Sequence, residues 1–144
     1  MRSFPGSRHM AAIQQGQPMF SLSTRHRSVL YALQGLGFAL KTQPNFRIQV
    51  VAAMACVILG VTWKVSVEDW RWLVLAIAIV LIAEAINTAF EHLCDVVQPE
   101  LHASVKAAKD VAAGAVLLAS ISSAVIGVMV FWPYVADLIW PPLR

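Results

Sequence analysis

The residues best suited to chemistry lie in the stretch Glu84-Ala-Ile-Asn87-Thr-Ala-Phe-Glu91-His-Leu-Cys-Asp95. On a helix, Glu84, Asn87, Glu91 and Asp95 share one face. Ala85, Ile86, Thr88, Ala89 and Phe90 are expected to fill the other sides. A second polar group follows: Glu100, His102, Lys106, Lys109 and Asp110. Carboxylates and an amide oxygen are hard ligands, and Mg²⁺ typically takes one or two carboxylates and completes its shell with phosphates and water. Lysines neutralise phosphate oxygens, and a carboxylate at a lipid boundary could take a proton from a hydroxyl. Phosphoryl transfer needs mainly such positioning and charge neutralisation. Other chemistries lack their residues: no HExxH, GxxxxGK[ST] or GxGxxG is present, and no nucleophilic Ser or Cys stands next to a base. The plainer alternative is a polar stripe packed on a neighbouring helix, or a solvated helix end. Likewise Lys106 and Lys109 could anchor a membrane helix, Glu100 and His102 could belong to a solvated loop, and His92 reads as interfacial.

The setting of these residues gives them weight. The chain is 58% hydrophobic and 13% charged, against about 25% charged in soluble domains. Its apolar residues fall into three blocks that read as membrane spans. Ionisable groups within such helices are costly and are functional candidates by default. A soluble helical domain rarely holds an uncharged run like 111–136. Net charge is +3. Arg2, Arg8, Arg25, Arg27 and Lys41 precede the first span, Arg47 stands at its start, and Lys106 and Lys109 open the third. The positive-inside rule then predicts a cytoplasmic N-terminus and second connection, with the C-terminus on the outer side. No dense basic run with interleaved aromatics is present, so nucleic acid is not expected as a partner. Cys56 and Cys94 are at different predicted depths and read as unpaired thiols. The first 20 residues lack the apolar core of a signal peptide.

These elements must position the polar groups. Residues 1–23 read as a weakly ordered leader. Residues 24–43 read as an amphipathic helix with Val29, Leu33, Leu36 and Leu40 at helical spacing, lying along the membrane surface. Pro44 ends it. Spans follow at about 46–63, 70–95 and 105–132, within one domain over 24–136. Trp63, Trp70 and Trp72 suggest an interfacial aromatic belt. Glu84 is ~21 Å along the second span from Trp70 at 1.5 Å per residue, near the inner edge of the hydrocarbon. Ser104 is a candidate N-cap for the third helix, and Pro133, Pro141 and Pro142 are expected to break up the end of the chain, with 137–144 as a tail. Ala113, Ser120, Ser123 and Gly127 form a small-residue face for close helix packing. Three spans make a thin bundle, so a homo-oligomer joined through small-residue faces is expected.

The motif Glu84-xx-Asn87-Thr-Ala-xx-Glu91-xxx-Asp95, followed by Lys106-Ala-Ala-Lys109-Asp110-Val-Ala-Ala-Gly114-Ala-Val-Leu, resembles the prokaryotic diacylglycerol kinase / undecaprenol kinase family. Lys41-Thr-Gln-Pro-Asn45-Phe46-Arg47-Ile-Gln49 resembles its junction of surface helix and first span. The resemblance covers about 24–132. It implies an all-α membrane protein: a homotrimer with one surface helix and three transmembrane helices per protomer, in the bacterial inner membrane. It implies transfer of the ATP γ-phosphate to a membrane lipid alcohol with Mg²⁺, yielding phosphatidic acid from diacylglycerol or undecaprenyl phosphate from undecaprenol. By position, Glu84 matches the catalytic base and Asn87 the asparagine that helps hold the site. Glu91 matches a metal ligand bordering ATP. Tyr31, Asp95, Glu100, His102, Lys109 and Asp110 fall on or near nucleotide-contact positions. At the position before Pro44 the family often has a metal-binding glutamate; here Gln43 offers a weaker neutral oxygen. The residues around Asn45-Phe46-Arg47-Ile48 and Ala113-Gly114-Ala115 are closer to the undecaprenol kinase branch. Two rivals stay open: a catalytically silent scaffold of the same fold, and a cation-conducting subunit. The second is poorly served, because no charged residue lies between Trp72 and Ala83.

Overall fold

The computed structural model describes residues 22–140, so most of the expected leader and the last four residues of the tail, with Pro141 and Pro142, lie outside the described residues. Every regular element described is an α-helix: α1 (Leu22–Thr42), α2 (Pro44–Thr62), α3 (Val67–Val97) and α4 (Ala103–Ile139). The last three are each long and apolar enough to cross a membrane. At 1.5 Å per residue α2 is ~28 Å long, about the hydrocarbon thickness, whereas α3 and α4 at ~46 and ~55 Å exceed it. Their excess length carries Glu91, Asp95, Lys106, Lys109 and Asp110 at one end and Glu68, Asp69, Arg71 and Asp137 at the other.

The chain divides into two units, the first ending at Gly35 and the second beginning at Leu36. In the first, Val29, Leu30, Tyr31 and Leu33 are exposed. The second contains the end of α1 and the three long helices. Pro44 acts as the sequence predicts. It leaves Gln43 in an extended conformation and occupies the first turn of α2, where its missing N–H costs no helical bond. One residue therefore separates α1 from α2.

Within the second unit α3 pairs along its length with α4, and α2 packs on α3. The best-packed core lies at the end away from Glu84, Glu91 and Lys109. There Val65, Leu73 and Val130 are buried, with Trp63, Trp70, Ile126, Phe131 and Tyr134 against them. Trp63 and Phe131 meet edge to face at 5.6 Å, a favoured aromatic geometry. Only part of the expected aromatic belt faces outward: Trp72 is exposed, while Trp63 and Trp70 turn partly inward. In the short connection Lys64 takes a positive φ of 52°. Ser66 then caps α3, its Oγ accepting from the Asp69 N–H at 3.1 Å. The Tyr134 hydroxyl accepts from the Ser66 N–H at 3.0 Å and donates to Asp69 Oδ2 at 2.9 Å.

This last contact explains one correction. Pro133 does not break α4, which runs on to Ile139. A proline within a membrane helix is tolerated when neighbours hold the turn that lost a bond, and Tyr134, the next residue, is tethered to α3. A second correction concerns the start of α4: its N-cap is His102, not Ser104. The His102 Nδ1 accepts from the Ser104 N–H at 3.3 Å, and the helix begins at Ala103, two residues earlier than a Ser104 cap would place it. The small-residue face of α4 is also used differently from the expectation. The Ser123 hydroxyl donates to the Ala76 carbonyl of α3 at 2.8 Å, so this part of it packs inside the chain. Among the described glycines the tight contact is at Gly60, where an added Cβ would stand 2.8 Å from the Trp70 ring.

Gly60→Ala should therefore lower the thermal midpoint in detergent. Overpacking costs about 1–3 kcal/mol, partly offset by up to about 1 kcal/mol of gained helix propensity. An unchanged midpoint would mean that Trp70 moves aside freely.

Candidate active site

The polar stripe of α3 passes from buried to exposed along the helix. Glu84 is only 2% exposed, and Asn87 and Thr88 are buried beside it. Glu91 is half-buried and Asp95 exposed. The placement of Thr88 corrects the sequence reading. At 100° per residue, position i+4 lies only ~40° from Glu84 around the helix, so Thr88 belongs to the same stripe.

Two hydrogen bonds organise the buried part. Gln49 of α2 donates from Nε2 to Glu84 Oε2 at 3.1 Å. Asn87 donates from Nδ2 to Glu91 Oε1 at 3.0 Å. Among the described residues three buried polar atoms are left without a partner: Gln49 Oε1, Asn87 Oδ1 and Thr88 Oγ1. Buried polar atoms are usually paired, so the stripe retains unused bonding capacity. The Asn87 oxygen and the Glu91 carboxylate are the kind of oxygen donors that Mg²⁺ takes. No group of three or more His, Cys, Asp or Glu gathers for a metal among the described residues. A cation here would thus need further oxygens from a phosphate ligand or water.

The second polar group gathers where α3 gives way to α4. Asp95, Glu100, His102, Lys106, Lys109 and Asp110 line a cavity of about 250 Å³. Lys109 Nζ bonds Asp95 Oδ1 at 2.8 Å, joining the two helices, and Lys106 Nζ bonds Asp110 Oδ2 at 2.6 Å along α4. Six of the residues singled out by sequence therefore share one cavity: Asp95, Glu100, His102, Lys106, Lys109 and Asp110. Tyr31 is an exposed side chain of the first unit. Gln43 is half-buried at the joint between α1 and α2, and its side chain does not cap α2. His92 stacks at a tilt on Phe38, ring centres 5.1 Å apart, tying the end of α1 to α3.

Two residues of the site were not picked out by their sequence pattern. Gln49 stands in sequence only as the end of the junction segment, although an amide within an apolar run is a visible signal. Thr88 was hidden by its short, ambivalent side chain. A larger apolar cavity, about 440 Å³, lies among α2, α3 and α4, with Gln49 among its few polar lining groups.

Residues 30–131 match the model of the family described as prokaryotic diacylglycerol kinase. The chain belongs to the prokaryotic diacylglycerol kinase family. It is 36% identical over 107 residues to the undecaprenol kinase of Bacillus subtilis, covering 74% of this chain and 87% of that one. It is also 36% identical over 112 residues to a diacylglycerol kinase of Synechocystis, covering 77% of this chain and 64% of that one. Against the diacylglycerol kinase of Escherichia coli identity is 28% over 104 residues, with 72% and 85% covered. The chain is thus a membrane protein and a lipid kinase, a phosphotransferase acting on an alcohol.

The Lys109–Asp95 pair is partly exposed, with side chains 34% and 63% accessible. Pairs of this kind contribute at most about 1 kcal/mol. Asp95→Asn and Lys109→Gln should each leave stability within about 1 kcal/mol of the parent, with a coupling no larger. A denaturation cycle in detergent measures this, and a coupling well above that value would mean the pair is a structural strut.

Proposed function

We propose that this chain transfers the γ-phosphate of ATP to the hydroxyl of a membrane lipid alcohol, with Mg²⁺, at the cytoplasmic face of the bacterial inner membrane. The observation that carries the reading is Glu84: a carboxylate 2% exposed within a membrane-type helix, held by Gln49 and continued by the Asn87–Glu91 pair. A buried carboxylate needs a partner or a function, and an acceptor for the hydroxyl proton is the function that a lipid alcohol requires.

In this reading the lipid hydroxyl gives its proton to Glu84 as its oxygen forms the bond to the γ-phosphorus. The bond from that phosphorus to the β–γ bridging oxygen breaks, ADP leaves, and Glu84 then releases its proton to solvent. Asn87 Oδ1 and Glu91 would hold Mg²⁺, with Gln43 as a weaker neutral ligand, and the ion supplies charge neutralisation on the phosphates. Asp95, Glu100, His102, Lys109 and Asp110 form the nucleotide side of the site, and Tyr31 is assigned to the same role. Lys109 offers its ammonium to phosphate oxygens.

The working unit in this proposal is a homotrimer. The charged cavity of one chain, about 250 Å³, lies below the 300–1,000 Å³ usual for ligand pockets, and Asp95 remains exposed beside it. A neighbouring protomer would enclose it. The arginines ahead of α2 and the lysines that open α4 support a cytoplasmic N-terminus, with the C-terminus outside. Undecaprenol is the favoured alcohol, supported by the relative whose length this chain matches more fully. Diacylglycerol is the second reading, supported by the cyanobacterial relative at equal identity.

Labelled γ-phosphate transfer to undecaprenol and to diacylglycerol, side by side in mixed micelles, tests the proposal. Product is expected with undecaprenol, and Glu84→Gln should lower the rate by about 10²–10⁴-fold, the range of general-base catalysis, while the oligomer survives. A folded oligomer that labels neither lipid would refute the kinase reading for these alcohols and favour a silent scaffold. Gln43→Glu should lower the Mg²⁺ concentration giving half-maximal rate; an unchanged or higher requirement would remove Gln43 from the metal site.

A further inference from the structure

We infer that Gln49 is a positioning residue for Glu84: its amide holds Oε2 of the carboxylate and leaves Oε1 as the oxygen that receives the lipid proton. The inference rests on the reading of Glu84 as base. It starts from a residue outside the polar stripe of α3, one that the junction segment contains but to which no role is assigned. Gln49 Nε2 makes the one hydrogen bond to Glu84 from another side chain among the described residues, at 3.1 Å.

Several observations converge on this contact. Glu84 is almost fully buried, so its orientation is set by protein groups rather than by water. Gln49 comes from a different helix, and Pro44 fixes the start of that helix five residues earlier. The carboxylate is thus held across the α2–α3 contact, not within its own turn. The amide can serve only one way round. Its nitrogen donates to the carboxylate, whereas its oxygen in that place would meet another acceptor. The arrangement leaves Gln49 Oε1 buried and unpaired, which is unfavourable in itself. An apolar side chain of the same length would pack in the 440 Å³ cavity beside Ala52, Leu73 and Ala76 without that penalty. Gln49 is therefore poor as packing and well suited to holding a carboxylate.

The test compares the parent with Gln49→Met and Gln49→Glu, full-length in mixed micelles with ATP and Mg²⁺, against undecaprenol and diacylglycerol. Gln49→Met keeps the length and removes the donor. It should lower kcat by about ten- to a hundredfold, the worth of a hydrogen bond to a charged group. The KM for ATP, the thermal midpoint and the oligomer should stay as in the parent. Gln49→Glu keeps the shape but replaces the donor with a second carboxyl, and it should also lose kcat. Parental kcat in Gln49→Met would overturn the inference. So would kcat losses that follow a falling midpoint or a lost oligomer in both variants, which would mark a purely structural residue. A parent that labels neither lipid fails the kinase reading itself. An active parent, an inactive Glu84→Gln and a fully active Gln49→Met fail only the role of Gln49.

Discussion

A carboxylate buried in an apolar helix is the constraint on which the rest of this structure depends. Charged groups at membrane depth are expensive by any measure, and they persist only with partners. Glu84 meets this constraint with one donor, and that donor comes from α2 rather than from α3. The bond therefore does more than satisfy an oxygen. It is a polar link between α2 and α3, two helices that otherwise meet through apolar contacts such as that of Gly60 with Trp70. Pro44 makes the link effective, because it starts α2 at a defined residue and so sets how far Gln49 projects along the bundle.

Holding a polar site inside a thin bundle requires order elsewhere. The chain supplies it at the opposite end. Val65, Leu73 and Val130 are buried there, Gly60 lets Trp70 lie against α2, and Tyr134 closes onto Ser66 and Asp69. The charged end has few such contacts. Its helices are joined by the Lys109–Asp95 pair and by the stacking of Phe38 on His92. Packing energy is concentrated where nothing needs to move, and polar groups with spare bonding capacity are concentrated where a substrate would enter. Local stability commonly divides in this way between scaffold and site.

Much of this was legible in the sequence, for reasons that can be stated. Three apolar blocks and a proline joint have strong one-dimensional signatures, so the helices and the α1–α2 boundary followed directly. The face shared by Glu84, Asn87 and Glu91 follows from helical periodicity, and the Lys109–Asp95 contact brings together two motifs that sequence could only set side by side. What escaped depends on tertiary partners. Pro133 ends a helix by local rules, yet here a tethered tyrosine holds the next turn. His102 is an unusual cap that outcompetes Ser104 because the helix starts at Ala103. Ser123 looks like a contact for another chain but bonds a carbonyl of its own α3. Gln49 shows only as an amide in an apolar run, and its partner emerges once the helix facing it is known.

The two polar groups of the site differ in a way that matters for phosphoryl transfer. Around Glu84 the contacts are buried, and each donor there is matched to a specific oxygen. Around Lys109 the ion pairs are partly exposed and individually weak. A base must be held still, since its oxygen has to meet one proton. A phosphate-binding lysine must instead exchange partners, leaving a carboxylate for a phosphate and returning after release. A partly exposed pair worth at most about 1 kcal/mol allows that exchange at little cost, and a buried one would oppose it, because separating it would strand a charge. The gradient of burial from Glu84 through Glu91 to Asp95 thus matches what the proposed mechanism asks of the stripe, fixed where the proton would be taken and adaptable where the nucleotide would come and go.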